Sequence, residues 1–354
     1  MENLRLINYN IGDLTEDLQF LREFRDPYRY LRHCTPAWWC DHNLNPFAQP
    51  DDLALTLAVD GDTVIGRLAM WAAQVVIDGV EYRTFLLDYF VVHEDYRDTG
   101  VGGMLLMNSI SRSRCLVAAG GVPHNVQELY QAAGFRELGP LSRYVYFYNS
   151  QVIFKTYLRS APLASALSIF ASLPLKIYYR LKAKKAKSAL EFRPATSFNS
   201  AIDDLPRSGN YFPRSSAQLD WLLATRDNLY GFEVFRDGRL GGYCVFRIQR
   251  AEAQSEPRRL PEMRVGSLLD YYIDEATIED KRALVNFGLA FLKPKKMDIF
   301  ECQAKDEELN EVCARLGLVH VSGFRILFRP PPRATLSDND LWYLTKAEGD
   351  ILIE

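Results

Sequence analysis

The sequence of 354 residues contains only six cysteines, and they lie far apart, at positions 34, 40, 115, 244, 302 and 313. Their number and spacing exclude a small secreted domain held together by disulfides. The first residues, Met1 to Arg5, lack the basic and apolar segments of a secretory leader. We therefore expect a protein of the reducing cytoplasm.

Long apolar runs are equally scarce. The longest, residues 161–175, contains two prolines, Pro162 and Pro174, and is shorter than the roughly 18 uncharged residues that a membrane-spanning helix needs. The sequence therefore predicts no transmembrane segment.

An overall excess of positive charge is also absent, since 42 basic residues face 45 acidic ones and the net charge is −3. Proteins that bind nucleic acid usually carry a basic domain or stripe, so we expect no nucleic-acid partner. The hydrophobic content of 48% and the charged content of 25% are typical of globular chains. The length predicts two domains of ordinary size.

An internal repeat divides the sequence. The segment Leu86-Leu87-Asp88-Tyr89-Phe90 recurs as Leu268-Leu269-Asp270-Tyr271-Tyr272, and residues 130–135 align with residues 313–318 at nearly the same offset. Each copy shows the same order of patterns: an opening strand, a glycine-marked hairpin, a long apolar strand, a helix, a strand and a short helix ending in glycine. The repeat predicts two α/β units.

The predicted boundaries follow from this repeat. An N-terminal domain covers residues 1–149, a basic amphipathic linker covers 150–189, a second domain covers 190–330, and a C-terminal tail covers 331–354. Three consecutive prolines, Pro330 to Pro332, mark the start of the tail.

The most specific motif is a glycine-rich turn between an apolar strand that ends at Val92 and a helix. It reads Arg97-Asp98-Thr99-Gly100-Val101-Gly102-Gly103. Glycines let a ligand approach the backbone, and the free amides at a helix N-terminus suit an anion such as pyrophosphate. A tight strand-to-helix connection is the plainer interpretation. No Lys follows the glycines, so the turn is not a Walker loop.

The pattern Arg-x-x-Gly-x-Gly resembles the acyl-CoA-binding motif of the GNAT acetyltransferase superfamily. A second segment, Glu128 to Phe135, looks like another hallmark of that superfamily, a short helix ending in Tyr-x-x-x-Gly-Phe. The resemblance implies two GNAT-like domains, each with a mixed, mostly antiparallel central sheet flanked by helices. It also implies acetyl-CoA or another acyl-CoA as co-substrate.

The second copy departs from the motif. In an alignment without gaps, Arg97, Gly100 and Gly102 lie opposite Glu279, Arg282 and Leu284. An acid and bulky side chains therefore stand where the first copy has its glycine-rich, anion-binding turn, which we call the cradle. We expect a degenerate GNAT domain that binds no CoA and either completes an acceptor site or stabilises the first domain.

The resemblance also implies roles for single residues. The backbone groups of Phe90 and Val92 would pair with the pantetheine arm, and residues 97–103 would hold the pyrophosphate. Tyr130 matches the position at which relatives protonate the departing thiolate, and Cys313 replaces it in the second copy. Packing at a helix end is the alternative for Tyr130.

Asp88 is the candidate general base, because many relatives carry an acid on this strand. Its counterpart Asp270 is retained in the degenerate copy, which favours a structural role instead. Asn125 is a candidate CoA contact, although it stands five residues before Tyr130 rather than the seven usual in relatives, where this chain has Pro123.

A cluster of His33, Cys34, Cys40 and His42 surrounds Trp38 and Trp39. The spacing is poor for structural zinc, which favours two to four residues between cysteines, so we predict no metal. Aromatic packing and a lid over the acceptor site remain open for this segment.

The linker combines an apolar face with a basic run that ends at Lys187. An interdomain helix with a solvated basic tail and peripheral contact of residues 161–187 with an anionic membrane are the two interpretations.

The functional prediction is direct transfer of an acetyl or related acyl group to an amine of a small molecule, with an amino sugar as the first candidate. A Fem-type aminoacyl transferase and a non-catalytic CoA-sensing or scaffold protein are the alternatives. The sequence does not give the oligomeric state.

Overall fold

The computed structural model of the chain describes residues 3–32, 34–119, 124–150, 188–226, 228–251, 262–321, 323–332 and 341–350, together with 174, 177–179, 182, 334 and 336. The basic run of the predicted linker lies almost wholly outside the described residues, so neither interpretation of the linker is tested.

The described residues up to position 150 form seven strands and three α-helices. They are β1 (Leu4–Asn10), α1 (Pro36–Leu44), β2 (Leu53–Asp60), β3 (Thr63–Ile77), β4 (Val80–Val92), α2 (Val101–Arg112), β5 (Leu116–Ala119), α3 (His124–Ala132), β6 (Arg136–Pro140) and β7 (Ser142–Phe147).

The second half contains the remaining strands and helices of the described residues. They are β8 (Leu190–Ala195), β9 (Asn210–Tyr211), α4 (Ser216–Thr225), β10 (Leu229–Arg236), β11 (Arg239–Ala251), β12 (Met263–Ile273), α5 (Ile278–Leu292), β13 (Ile299–Ala304), α6 (Glu307–Arg315), β14 (Val319–Val321), β15 (Arg325–Arg329), β16 (Trp342–Tyr343) and α7 (Ala347–Asp350). Short 3-10 helices cover Ile11–Asp13, Gln19–Glu23, Glu94–Thr99, Ser200–Ile202 and Lys293–Lys295.

Two sheets form the centre of the molecule. The order of the first is β1-β2-β3-β4-β5-β15-β6, and that of the second is β14-β7-β13-β12-β11-β10-β8. Neighbouring strands are antiparallel except for β4 with β5, β12 with β13 and the short pair β9 with β16. The prediction of two mixed, mostly antiparallel sheets flanked by helices is confirmed.

The hairpin between β2 and β3 shows how the local sequence produces this sheet. Gly61 takes a φ of 64° in the turn, which costs little without a β-carbon. The strands on both sides are almost entirely buried, because other elements cover both faces of the sheet. Helix α2 covers β2 and β3 with its apolar side, where Val101, Leu105 and Leu106 are fully buried.

The two units exchange their closing strands. β7 follows the first unit in sequence but pairs with β13 and β14 in the second sheet, whereas β15 pairs with β5 and β6 in the first sheet. The division of the chain at residues 149 and 190 stays a prediction, to which the structure adds this exchange. Repeats in the sequence show equivalent segments but not which sheet each strand joins.

A shared apolar core joins the units. Leu55 and Trp71 of the first unit lie in the same cluster of buried side chains as Leu222 and Leu269 of the second. Helix α1 packs on α4, where Trp221 Nε1 donates a hydrogen bond to the carbonyl oxygen of Asp41 at 3.1 Å. The second unit is therefore packed directly against the first. None of the helices in the described part of the chain has the length and hydrophobicity needed to cross a membrane.

Candidate active site

A gap opens between β4 and β5. These strands pair only from Phe85 to Leu87, opposite Leu116 to Ala118. Beyond Leu87, no described strand pairs with this edge of β4. A bulge lies at the same point, since the register with β3 shifts between Arg67 and Ala69 and Tyr89 takes a φ of 45°. The bulge redirects β4 away from β5, which leaves the backbone of Phe90 and Val92 at the side of the gap.

The glycine-rich turn lies at the end of the same strand. Gly100, with a φ of 87°, is the residue before α2, and no side chain caps this helix. A β-carbon at Gly100 or Gly103 would meet nothing within 4 Å, and one at Gly102 would come within 3.7 Å of Phe90. The first amides of α2 therefore have no capping side chain, and the glycines leave room beside them for an anion, which the helix dipole favours.

The other predicted residues of the turn have different surroundings. Arg97 and Asp98 are exposed, and Arg97 Nε donates a hydrogen bond to the carbonyl oxygen of Val92 at 3.3 Å. Thr99 Oγ1 donates one to the carbonyl oxygen of Tyr96 at 2.7 Å. The Val101 side chain is fully buried, so only its backbone amide is available to a ligand.

Asp88 lies at the bulge and is buried. Its Oδ2 accepts a hydrogen bond from Trp71 Nε1 at 3.1 Å, and its Oδ1 accepts one from the Tyr89 amide at 2.9 Å. Burial raises the pKa of this carboxyl to about 6, against the hydrogen bonds and the charge of Arg67, which lower it. A carboxyl with such a pKa is poised to exchange a proton near neutral pH.

Arg67 is a residue that the motifs do not indicate. Its side chain is fully buried, lies over the Tyr89 ring at 4.5 Å and donates a hydrogen bond to Cys34 Sγ at 3.4 Å. Its Nε has no hydrogen-bond partner among the described residues. An arginine inside the otherwise apolar run of β3 is a signal in the sequence that could have identified it.

Tyr130 is buried at the start of the gap. Its ring contacts Phe90 edge-on at 6.2 Å and Phe135 at 5.0 Å. Burial raises the pKa of the Tyr130 phenol well above its usual range, so the phenol keeps its proton at neutral pH. Asn125 belongs to the backbone of α3, but its side chain lies outside the described part of the structure.

The cluster around Trp38 is packed into the core. The buried His42 ring lies between the rings of Trp38 and Trp71, at 4.1 and 3.7 Å. Burial lowers the pKa of His42 to about 4, which keeps the ring neutral. These contacts favour aromatic packing over a lid for Trp38 and His42, whereas His33 lies outside the described residues. Within the described ranges, no group of His, Cys, Asp and Glu side chains is suited to a metal ion.

The second unit has the same helix start, but its own side chains close it. Thr277 and Asp280 form a reciprocal capping box at the beginning of α5. The Asp280 carboxylate also accepts hydrogen bonds from Ser188 at 2.6 Å and Arg236 at 2.9 Å. The Thr277 hydroxyl thus accepts the Asp280 amide and the Asp280 carboxylate accepts the Thr277 amide, at the helix start where an anion would otherwise bind.

The second gap, between β12 and β13, is also occupied. These strands pair only up to Leu268 and Cys302. The tail enters beyond that point, where the Lys305 amide donates a hydrogen bond to the carbonyl oxygen of Leu344 at 2.9 Å. Thr345 forms a bridge to Ala304. The chain's own backbone therefore lies in the gap of the second unit.

Asp270, the counterpart of Asp88, belongs to a buried ion cluster. Its Oδ2 lies 2.9 Å from Arg214 Nε, and the second arm of the same guanidinium pairs with Glu348 at 2.5 Å. Thr345 Oγ1 donates a hydrogen bond to Asp270 Oδ1 at 3.0 Å. The same carboxylate is therefore ion-paired in one unit and bound only by neutral donors in the other.

A cavity of about 600 Å³ lies beside this cluster. Its wall includes β12, the beginnings of α5 and α6, and the tail around Tyr343. A smaller cavity of about 20 Å³ adjoins it and reaches Trp71 and Leu86 of the first unit.

Comparison with known proteins agrees with this geometry. A family model described as "Acetyltransferase (GNAT) family" matches residues 18–135. The comparison with curated proteins found no match.

Solved structures share the fold over nearly the whole chain. Saccharomyces cerevisiae N-myristoyltransferase with bound myristoyl-CoA is 10% identical with a TM-score of 0.57, and the match covers 94% of this chain and 84% of that one. A GCN5-related N-acetyltransferase from Anabaena variabilis is 15% identical with a TM-score of 0.50, over 92% of this chain and 72% of that one. Residues 18–135 therefore match the GNAT acetyltransferase family, and the chain as a whole shares the fold of these structures.

Proposed function

We propose that the chain transfers an acetyl or related acyl group from acyl-CoA to a primary amine of a small molecule, with an amino sugar as the first candidate. The observation that carries the proposal is the combination of the open gap beside β4 with the uncapped start of α2 at Gly100. In the second unit both features are closed. One acyl-CoA per chain is therefore expected.

Acyl-CoA has a place in this geometry. The pyrophosphate would lie on the amides of residues 101–103, with Arg97 as a nearby cation. The pantetheine arm would follow the free edge of β4 past Phe90 and Val92, as an added strand does. Myristoyl-CoA bound to the yeast neighbour supports an acyl-CoA of this class.

The proton balance of the reaction gives the two candidate residues separate roles, Asp88 as the base and Tyr130 as the acid. An ammonium acceptor loses one proton to the Asp88 carboxylate, directly or through one water, and its nitrogen then attacks the thioester carbonyl carbon. The C–N bond forms as the C–S bond breaks. The leaving thiolate takes a proton from the Tyr130 phenol, which regains one from the nitrogen of the product amide. An amide, free CoA and one released proton result.

The cysteine near Asp88 supports direct transfer of the acyl group, without a covalent intermediate between the acyl group and the enzyme. Cys34, the cysteine near Asp88, is buried, and burial raises the pKa of its thiol to about 11. A protonated thiol is a poor nucleophile. All six cysteines are free thiols, which fits a reducing compartment such as the cytoplasm.

The first test is thermal unfolding with and without acetyl-CoA, followed by acyl transfer to a panel of amines. A ligand at 100 times its dissociation constant stabilises the folded state by about 2.7 kcal/mol, so a clear rise in Tm is expected. The variant Tyr130→Phe should keep this rise and lose turnover. Acetyl-CoA binding without turnover on any amine would favour a CoA-sensing protein, and no binding at all would favour the Fem-type alternative.

A further inference from the structure

The described residues that line the cavity of about 600 Å³ belong to the second unit and the tail. The small cavity that adjoins it has Phe212, Arg214 and Glu348 in common with it and is also lined by Trp71. Trp71 donates its indole hydrogen bond to Asp88. The Arg214–Glu348 ion pair thus forms a wall common to both cavities, and the far side of the small cavity is lined by the partner of the proposed base.

Six carboxylates and four cationic side chains line the described wall of the cavity. Because burial raises the pKa of Glu348 to about 7, the excess near neutral pH is between one and two negative charges. Two of the cations are held between pairs of carboxylates. Lys281 Nζ lies 2.8 Å from Asp306 and 2.9 Å from Glu308, and Arg214 has the same arrangement. Each of these groups keeps one uncompensated negative charge when all its members are ionised.

Aromatic rings supply much of the remaining wall. Five tyrosines line the cavity, at positions 211, 243, 271, 272 and 343. The Arg207 guanidinium already lies over two of these rings, at 5.6 and 5.1 Å from their centroids. Tyrosine faces attract cations and pack against the apolar faces of small ligands.

We infer that this cavity is the acceptor site and that its ligand is a small primary amine bound in its protonated form. The inference rests on the proposed acyl transfer. The excess negative charge and the aromatic faces would bind the ammonium ion, and the wall shared with the small cavity would place it on the side of Trp71 and Asp88. The second unit would then hold the acceptor while the first holds the donor.

The test is direct binding without acyl-CoA, measured by ligand-observed NMR on the full chain. Three amines are compared with neutral counterparts of similar shape: glucosamine with glucose, 1,4-diaminobutane with 1,4-butanediol, and glycinamide with acetamide. At least one amine is expected to bind at least tenfold more tightly than its neutral counterpart. Equal binding within all three pairs would overturn the inference.

A charge variant locates the binding. Glu275 and Glu307 line the cavity, are exposed, and form no ion pair with any described residue. The double variant Glu275→Gln/Glu307→Gln should weaken binding of the preferred amine and raise its KM at least tenfold, with kcat and the acetyl-CoA shift in Tm nearly unchanged. A matched control, Glu81→Gln/Asp237→Asn, removes two exposed acids outside the cavity and should leave KM unchanged.

The results separate this inference from the proposed function. If the chain acylates an amine but the cavity variant behaves like its control, the acceptor lies elsewhere and only the inference fails. If acetyl-CoA neither binds nor reacts, the proposed function fails, and the NMR comparison still decides whether the cavity prefers cations. Binding of two CoA molecules per chain would place CoA in the cavity and overturn the inference.

Discussion

The two helix starts that follow β4 and β12 occupy equivalent positions and differ in what satisfies their amides. At α2, Gly100 offers no side chain, no other side chain caps the helix, and the glycines leave room beside its first turn. At α5, Thr277 and Asp280 cap the helix. An anion-binding helix start and a stable helix start are alternatives, because the same amides serve one or the other. When such a helix start is duplicated, side chains that cap one copy can therefore remove its capacity to bind an anion.

The gaps beside β4 and β12 differ in the same way as the two helix starts. Beside β4 the gap has no strand among the described residues, whereas beside β12 it holds Leu344 and Thr345 of the tail. Unpaired backbone groups need partners when they are buried. The second unit takes them from its own tail, and we expect the first to take them from its substrate.

The largest expected difference between the units concerns the equivalent aspartates Asp88 and Asp270. Asp88→Asn should lower the rate of acyl transfer by about a hundredfold or more, because a neutral amide cannot accept the proton. Asp270→Asn should instead destabilise the fold by about 2 kcal/mol, since it removes a charge-assisted hydrogen bond of Arg214, which stays paired with Glu348. Steady-state kinetics and urea unfolding of both variants measure the two effects. Similar loss of stability in both, with activity kept in Asp88→Asn, would show that the residue is structural in each unit.

The pH profile sharpens the same comparison. A base must be ionised to act, so the rate should fall as the pH drops through about 6, the pKa to which burial raises Asp88. Asp88→Asn should lack this step. The linkage to stability has the opposite sign, because the folded state binds the proton more tightly than the unfolded state, whose pKa is near 3.8. Stability contributed by this group is thus present at low pH and is lost as the pH rises from about 4 to 6.

The cradle gives the next largest effect. Gly102→Asp should weaken acetyl-CoA binding about a hundredfold, because it adds a side chain beside Phe90 and a negative charge where the pyrophosphate would lie. The shift in Tm with acetyl-CoA measures this loss. Met107→Asp adds the same charge to an exposed position of α2 and should keep the shift. Equal shifts in all three proteins would remove the cradle from the proposed site.

The sequence predicted the parts of this site that depend on local geometry. Gly100 before a helix and the apolar strand ending at Val92 are local patterns, and both lie where the motif places them. Arg67, the Asp270–Arg214–Glu348 cluster and the exchange of β7 with β15 depend on contacts between residues far apart in the chain. A repeat in a single sequence shows equivalence but gives no pairing. Only the three-dimensional structure therefore shows which sheet β7 and β15 join and which gap the tail occupies.

The smallest expected effect concerns the capped start of α5 in the second unit. Thr277→Ala removes the hydroxyl that accepts the Asp280 amide at 3.2 Å, and loss of such a cap costs about 1 kcal/mol. Urea unfolding should show this decrease, whereas Gly100→Ala, at a helix start without a cap, adds a β-carbon at a φ of 87° and destabilises through strain instead. Acetyl-CoA should still stabilise Thr277→Ala as much as the wild type, with one molecule bound per chain. A second bound molecule in this variant would show that the cap alone keeps the ligand out of the second unit, and that the tail in its gap does not.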